Sequence, residues 1–461
     1  MIKILLNIPP PSSIMRTHPW RTRMKSSFGI AVVGCGTVGN ATAALLLSEA
    51  DNYLKKTGKE LKLSALVDVN FDRAREEGLP ETIFNENLAS VLSDKNVHLI
   101  VETVGGLTIA RTIIEKALKA GKHVVTANKA LLAHYGTELF ALARKNDVSI
   151  GFEASCAGGI PIVRALVDGL LANNIEAIYG IVNGTSNFIL TEMVEKGKSY
   201  IEALKMAQAE GLAEADPTLD VNGMDAAHKL TLLGSLAFGE NIPLDDIPTE
   251  GIDGLDLFDV SMGNSLGYVL KLVALGRKTG KGLELAVKPV FLPDDHPLAR
   301  VSGPFNAVSV YGSAVGHTMY YGRGAGGSPT ASAVVSDILS IALGTWPALF
   351  STLNIWPDRC KKARLADSGE SKHRHYLRFM IQDESGVVAE ITAALAAKGI
   401  SLNAFVQKES HEGSLVPVVI TTHEAKEKNI IEAFEAITDL PSVEKKSAVR
   451  LRIIDEHVES L

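Results

Sequence analysis

Gly34-Cys35-Gly36-Thr37-Val38-Gly39 follows directly on an apolar run, Ile30 to Val33, and directly precedes a helical stretch through Ala41, Leu45 and Leu46. A G-x-G-x-x-G turn between strand and helix constrains this chain more than any other feature. Its glycines permit a tight turn and close backbone approach, and they leave the helix N-terminus facing an anion such as a pyrophosphate. Further apolar runs, Leu61 to Val69, His98 to Thr103 and His123 to Thr126, alternate with helical segments such as Ile109 to Ala120. That order predicts a parallel sheet covered on both faces, so residues 27–150 are read as an α/β Rossmann-type nucleotide-binding domain.

With 461 residues, the chain exceeds one ordinary core and about two or three domains are expected. After residue 150 longer helical blocks, Ile160 to Leu171 and Asp225 to Phe238, mix with strand-like pieces, Ile175 to Val182, Ala307 to Tyr311 and His317 to Tyr321. Residues 151–355 are read as an α+β catalytic and dimerisation domain whose end packs back on the nucleotide domain. Residues 356–374 are polar, without apolar periodicity, and are read as a linker. Residues 375–455 run strand (Tyr376 to Ile381), helix (Gly386 to Lys398), strand (Leu402 to Gln407), strand (Leu415 to Thr421), helix (Lys426 to Ile437) and strand (Val443 to Ile453), the order of a ferredoxin-like domain.

A net charge of −7 speaks against nucleic acid as a partner, because phosphate binding needs a basic face. No stretch approaches the roughly 18 uninterrupted apolar residues of a membrane span, so no membrane partner is expected. The cysteines Cys35, Cys156 and Cys360 are odd in number and far apart. They form neither a disulfide framework nor a zinc spacing, which points to a reducing, cytoplasm-like compartment. Residues 1–26 carry Lys3, Arg16, Arg21, Arg23 and Lys25 with no acid before Glu49. They are read as a dispensable extension, with an organellar targeting segment as the alternative.

The dinucleotide turn names Gly34, Gly36, Thr37, Val38 and Gly39 as cofactor contacts. Asp68, at the end of the second strand, would bind the ribose hydroxyls of NAD, whereas Arg73 or Arg75 would hold the 2′-phosphate of NADP. Both cofactors remain open. The densest chemistry lies in AQAEGLAEADPTLDVNGMDAAHK, Ala207 to Lys229. Its acids are too many for a core, and Asp225 and Lys229 fall on one face of a helix.

Here the sequence resembles homoserine dehydrogenase. The family signature A-x(3)-G-L-A-x(2)-D-P-x(2)-D-V-x-G-x-D-x(3)-K is met without a gap, and VETVGG (Val101 to Gly106), TANKALL (Thr126 to Leu132), NGTSNFIL (Asn183 to Leu190) and YGRGAGGSPTASAV (Tyr321 to Val334) agree with it. The resemblance, over residues 28–345, implies interconversion of L-homoserine and L-aspartate 4-semialdehyde with NAD or NADP. It assigns proton transfer to Lys229, with Lys129 beside it and Asp225 in the same catalytic group. Two neighbouring lysines are expected to lower each other's pKa. Glu214 and Asp225, with Asn183, Gly184 and Thr185, would hold the substrate. Thr103, Lys129, Gly211 and Gly326 would join the glycine turn at the cofactor.

The same resemblance implies a monovalent cation such as Na+, held by Glu153 and by the carbonyls of Cys156, Gly158 and Ile160. The C-terminal stretch IQDESGVVAEITAALAAKGISLNAF resembles an ACT domain, which implies an effector, L-threonine, at Gly386, Val387, Val388 and Asn403. A homo-oligomer, dimer or tetramer, is expected. The competing readings are a non-catalytic amino-acid sensor and a related dehydrogenase for another amino-acid aldehyde.

Overall fold

In the computed structural model, residues 27–407 and 415–455 are described; the N-terminal segment 1–26 lies outside them. The first sheet contains β1 (Ser27–Val33), β2 (Glu60–Val67), β3 (Phe84–Asn85), β4 (Val97–Glu102), β5 (His123–Thr126) and β6 (Ile150–Gly151), in the order β3-β2-β1-β4-β5-β6 and parallel throughout. Ile30, Ala31 and Val32 in β1 are fully buried, as are Leu99, Ile100 and Val101 in β4. Near-continuous apolar runs are what a sheet with helices on both faces requires. The chain order reverses beside β1, and the crevice there, at the carboxyl ends of β1 and β4, is where such sheets take a ligand.

The second sheet is built from β7 (Ile175–Ile181), β8 (Tyr268–Thr279), β9 (Gly282–Pro293), β10 (Phe305–Gly312) and β11 (Gly316–Arg323). Its inner face carries the Gly184–Lys196 and Met224–Phe238 helices. In the latter every residue from Asp225 to Phe238 is buried, so its polar groups must find partners inside the protein. The long helix Gly327–Leu343 leaves this sheet and packs against Thr37–Ser48 of the nucleotide domain. The block Ile160 to Leu171 is not one helix. A short turn, Ile162–Arg164, passes into a π-turn, Ala165–Gly169, in which the Leu170 amide reaches back to the Ala165 carbonyl at 2.7 Å. Leu166 and Val167 in this wider turn are both buried.

The C-terminal strands are β12 (Lys372–Gln382), β13 (Leu402–Gln407), β14 (Leu415–Thr422), β15 (Ala425–Lys426) and β16 (Val449–Ile453). With the Val387–Ala397 and Glu427–Thr438 helices they make the expected β-α-β-β-α-β unit, with sheet order β16-β12-β14-β13. This unit is not tethered by a free linker. Strand β16 pairs in parallel with β9, Arg452 opposite Val290 and Ile453 opposite Phe291, so the two sheets are one of ten strands.

The polar stretch 356–374 is strapped down as well, contrary to the linker reading. Trp356 is fully buried against Phe140, Phe152, Trp346 and Phe350. The Asn241 amide donates to Lys361 O, and the Leu283 amide to Arg364 O, both at 2.8 Å. Backbone pairing of this kind needs no side-chain periodicity, which is why the sequence hides it.

At the seam Asp259, 1% exposed on the Leu257–Ser265 helix, receives two bonds from the Arg378 guanidinium (2.6 and 2.9 Å) and one from the Tyr376 hydroxyl (2.9 Å). Removing one partner of a buried ion pair leaves an uncompensated charge. Asp259→Ala is therefore expected to cost about 3–5 kcal/mol of stability, measured by urea unfolding, where a surface ion pair would contribute no more than about 1.

Candidate active site

The Met224–Phe238 helix starts at Gly223, whose left-handed φ of +84° and close neighbours, Glu250 O among them, admit only glycine. One turn in, Lys229 is 7% exposed. Its Nζ donates to Asp225 Oδ2 at 2.6 Å and to the Val182 carbonyl at 2.5 Å. Lys129, first residue of the Lys129–Lys145 helix, reaches the other oxygen, Asp225 Oδ1, at 3.0 Å. Asn183 completes the group: its Nδ2 donates to Asp225 Oδ2 (2.8 Å) and Asp220 Oδ1 (2.7 Å), while its Oδ1 caps the Gly184–Lys196 helix through Ser186 N. Two lysines from different domains thus converge on one buried carboxylate.

The electrostatics follow from that carboxylate. Burial alone would raise the Asp225 pKa, but Lys229 and Lys129 prevail and hold it below the usual carboxylate range. Asp225 in turn raises Lys129 against the effect of burial. The expectation that neighbouring lysines lower each other is thereby corrected for Lys129: a carboxylate lies between them, and its attraction exceeds their mutual repulsion. Burial pushes His228, next to Lys229, down to about 4, so the imidazole is neutral at pH 7. Burial raises Asp220, partly offset by the Asn183 bond.

The other expected substrate contacts fall on two segments. Gly184 and Thr185 begin the Gly184–Lys196 helix; a Cβ on Gly184 would lie 2.9 Å from Pro304 O, and Thr185 Oγ1 donates to Leu212 O at 2.8 Å. Glu214 is exposed on the loop after Gly211. It is not drawn into the ion cluster, and Asp220 occupies the second acidic place there. Asp220 was visible only as one acid among many in its stretch.

At the cofactor crevice, a Cβ on Gly39 would lie 1.8 Å from Gly34 O and one on Gly34 2.8 Å from the Thr103 carbonyl carbon, whereas Gly36 faces open space. The first turn of the Thr37–Ser48 helix, including Val38, has no side-chain cap. An open glycine before uncapped amides is what a pyrophosphate needs, so these residues fit a dinucleotide. Thr103 Oγ1 donates to Val33 O and Gly34 O, bracing the turn. Asp68 accepts from the amides of Cys35 (2.5 Å) and Val69 (2.7 Å), and Arg73 reaches Thr37 Oγ1 at 2.9 Å. Gly211 is left-handed on its exposed loop, and Gly326, φ +116°, opens the Gly327–Leu343 helix beside Thr37. Glu102, which lies in the VETVGG motif but has no role assigned from it, is fully buried and accepts from Thr126 Oγ1 and from the Val104 and Gly105 amides.

Near the expected cation, Glu153 is 2% exposed and accepts from the Val163 and Arg164 amides at 2.8 and 2.9 Å. Burial, with Asp337 close by, raises its pKa to about 8. Asp337, also missed, is fully buried, accepts from the Glu153 amide and pairs with Arg164. Two buried carboxylates thus face one guanidinium. The following turn holds Ala157 and Gly158 left-handed, and a Cβ on Gly158 would strike Gly324 O at 2.4 Å. The Ile160 carbonyl already accepts from Ile162 N at 2.8 Å. Carboxylate and carbonyl oxygens are the donor types that a hard monovalent cation takes. Burial pushes the Cys156 thiol up to about 12, so the sulfur stays protonated at neutral pH. In the C-terminal unit, Gly386 (φ +102°) caps the helix begun by Val387 and Val388, and Asn403 on edge strand β13 donates to Thr421 Oγ1.

Family profiles match along the chain: the homoserine dehydrogenase NAD-binding domain at residues 34–153, homoserine dehydrogenase at 161–339 and the ACT domain at 375–439. A homoserine dehydrogenase from Neisseria gonorrhoeae is 44% identical over 90% of this chain and 96% of its own length. The chain belongs to the homoserine dehydrogenase family. One from Bacillus subtilis is 37% identical over 92% of this chain and 98% of its own. The crystal structure of a homoserine dehydrogenase from Thiobacillus denitrificans superposes with a TM-score of 0.86 at 41% identity, covering 93% of this chain and 98% of that one. A hyperthermophilic archaeal homoserine dehydrogenase in complex with NADPH superposes at 0.58 with 30% identity, covering 69% and 98%. The activity is therefore oxidoreduction between L-homoserine and L-aspartate 4-semialdehyde with a nicotinamide cofactor. The sensor and other-aldehyde alternatives are not favoured. Among the described residues no single helix is long and apolar enough to cross a membrane.

Proposed function

We propose that Lys229 exchanges the proton at the homoserine oxygen, that Lys129 holds the charge developing there, and that Asp225 and Asn183 fix both lysines in place. The observation that carries this reading is the Lys129–Asp225–Lys229 cluster, with N–O distances of 3.0 and 2.6 Å. Hydride loss from the alcohol carbon needs a base at its oxygen, and the reverse reaction needs an acid there. The bound nicotinamide supplies hydride acceptance or donation; the chain supplies the proton and the orientation. Glu214 and Asp220 offer carboxylates to the substrate ammonium. Homoserine-dependent nicotinamide reduction by the purified chain tests the whole reading, and absence of turnover would overturn it.

For the cofactor we favour NADP. Both Asp68 oxygens already accept backbone amides, and Arg73 stands over the glycine turn beside Thr37, where a 2′-phosphate would find a guanidinium. The archaeal relative bound to NADPH agrees with this choice. Arg73→Ala is expected to raise KM for NADP by about tenfold or more while changing KM for NAD little, since a charge-assisted bond contributes about 1.5–3 kcal/mol. Equal effects on both cofactors would place the 2′-phosphate elsewhere.

A monovalent cation at Glu153, Cys156, Gly158 and Ile160 would balance the surplus carboxylate, and exchange of NaCl for tetramethylammonium chloride at constant ionic strength should then lower the melting temperature. L-Threonine is the proposed effector at the Gly386 loop of a homo-oligomer. The shared β16–β9 pairing and the Asp259–Arg378 ion pair support a route for the signal within one chain. A chain ending at Trp356 would expose the β9 edge and strip Asp259 of its Arg378 and Tyr376 partners. Truncation is thus expected to lose solubility; the milder variant Gly386→Glu should keep activity and abolish threonine inhibition.

A further inference from the structure

Asn306, on β10, is fully buried, yet neither its Oδ1 nor its Nδ2 has a hydrogen-bond partner. Either orientation of the carboxamide leaves donors and acceptor unmet, which a folded chain rarely tolerates without a reason. Its position supplies one. A Cβ on Gly324 would lie 2.1 Å from Asn306 Cγ and Nδ2, so the amide presses on the Gly324 backbone. On its other side a Cβ on Gly184 would lie 3.7 Å from Asn306 Oδ1. Gly184 opens the helix that Asn183 caps while holding Asp225.

The turn after Gly324 touches the remaining parts of the site. Gly324 O fills the space beside Gly158, Arg323 O accepts from Gly159 N at 3.0 Å, and Gly327 lies against Thr37. Ala325 and Gly326 within that turn are exposed, and a glycine-rich turn can shift at little steric cost. One buried carboxamide therefore stands between the substrate helix and an exposed, glycine-rich turn that reaches both the cofactor loop and the Glu153 loop.

We propose that Asn306 is a positioning residue: when homoserine and the nicotinamide cofactor are bound, the turn 324–327 closes and its backbone groups pair with the Asn306 carboxamide, locking turn and substrate helix together. The inference rests on the active-site assignment above. It explains why a polar side chain occupies a place where leucine would fit by size, since replacing an unpaired buried amide with an apolar group of similar shape is neutral or stabilising.

The test compares the full-length chain with Asn306→Leu. The variant is expected to melt at the same or a higher temperature, to bind NADP in the absence of substrate as before, and to lose about tenfold or more in kcat/KM for homoserine. Hydrogen exchange supplies a second readout: adding NADP and homoserine should protect amides 324–327 in the wild type and not in the variant. Unchanged kcat/KM with unchanged ligand-induced protection would overturn the proposal. If leucine overpacks and the variant does not fold, Asn306→Ala is measured instead, and protection of the turn equal to wild type would again overturn it. A wild-type chain inactive on homoserine would sink the active-site assignment itself; an active wild type with an indifferent Asn306 sinks only this inference.

Discussion

Lys229→Ala is expected to lower turnover by about 10²–10⁴-fold, the range for a general acid or base, while leaving the affinity for NADP nearly unchanged. The lysine meets Asp225 and Val182 O, and the pyrophosphate turn at residues 34–39 belongs to another sheet. Steady-state kinetics and cofactor fluorescence titration separate the two effects. A variant with wild-type turnover would remove Lys229 from the chemistry. A variant that loses cofactor binding equally would make it a structural residue, because its side chain is buried and its loss also breaks two hydrogen bonds.

Asp225→Asn should affect both stability and catalysis. Lys229 would stay buried beside Lys129 without the carboxylate that compensates them, at a cost of about 3–5 kcal/mol in urea unfolding. The wild-type carboxyl titrates below its unfolded value of about 3.9, so the stability it gives is present at neutral pH and lost as acid protonates the folded state. The variant should lack that acid limb. Lys129 also loses the charge that raises it, so the basic limb of the homoserine oxidation profile is expected at lower pH, together with a raised KM. A profile identical to wild type would show that Asp225 does not set the state of the lysines.

Much of the nucleotide domain was legible because its determinants are local. A tight turn needs Gly34 and Gly39 wherever the strand ends, and Ile30 to Val33 reads as a buried strand without reference to anything distant. The ferredoxin-like order at residues 375–455 was legible for the same reason. In the signature stretch, Asp225 and Lys229 are four apart on one helix, so their pairing follows from helical geometry alone.

What the sequence could not settle lies across long separations. Lys129 meets Asp225 from another domain, Asn183 chooses Asp220 over Glu214, and Asp337 stands beside Glu153; each is fixed by how two units pack and by no local spacing. The stretch 356–374 looked like a linker because its contacts are backbone bonds to Asn241 and Leu283, to which composition is blind. The sequence by itself determined most elements of the nucleotide and C-terminal units, the glycine turn and the residue types of the catalytic group. Only the tertiary structure decided which charges share a dielectric environment, hence the state of Lys129, and that the ACT unit continues the catalytic sheet. Pairing energies depend on distance and burial, and both arise when the domains close on each other.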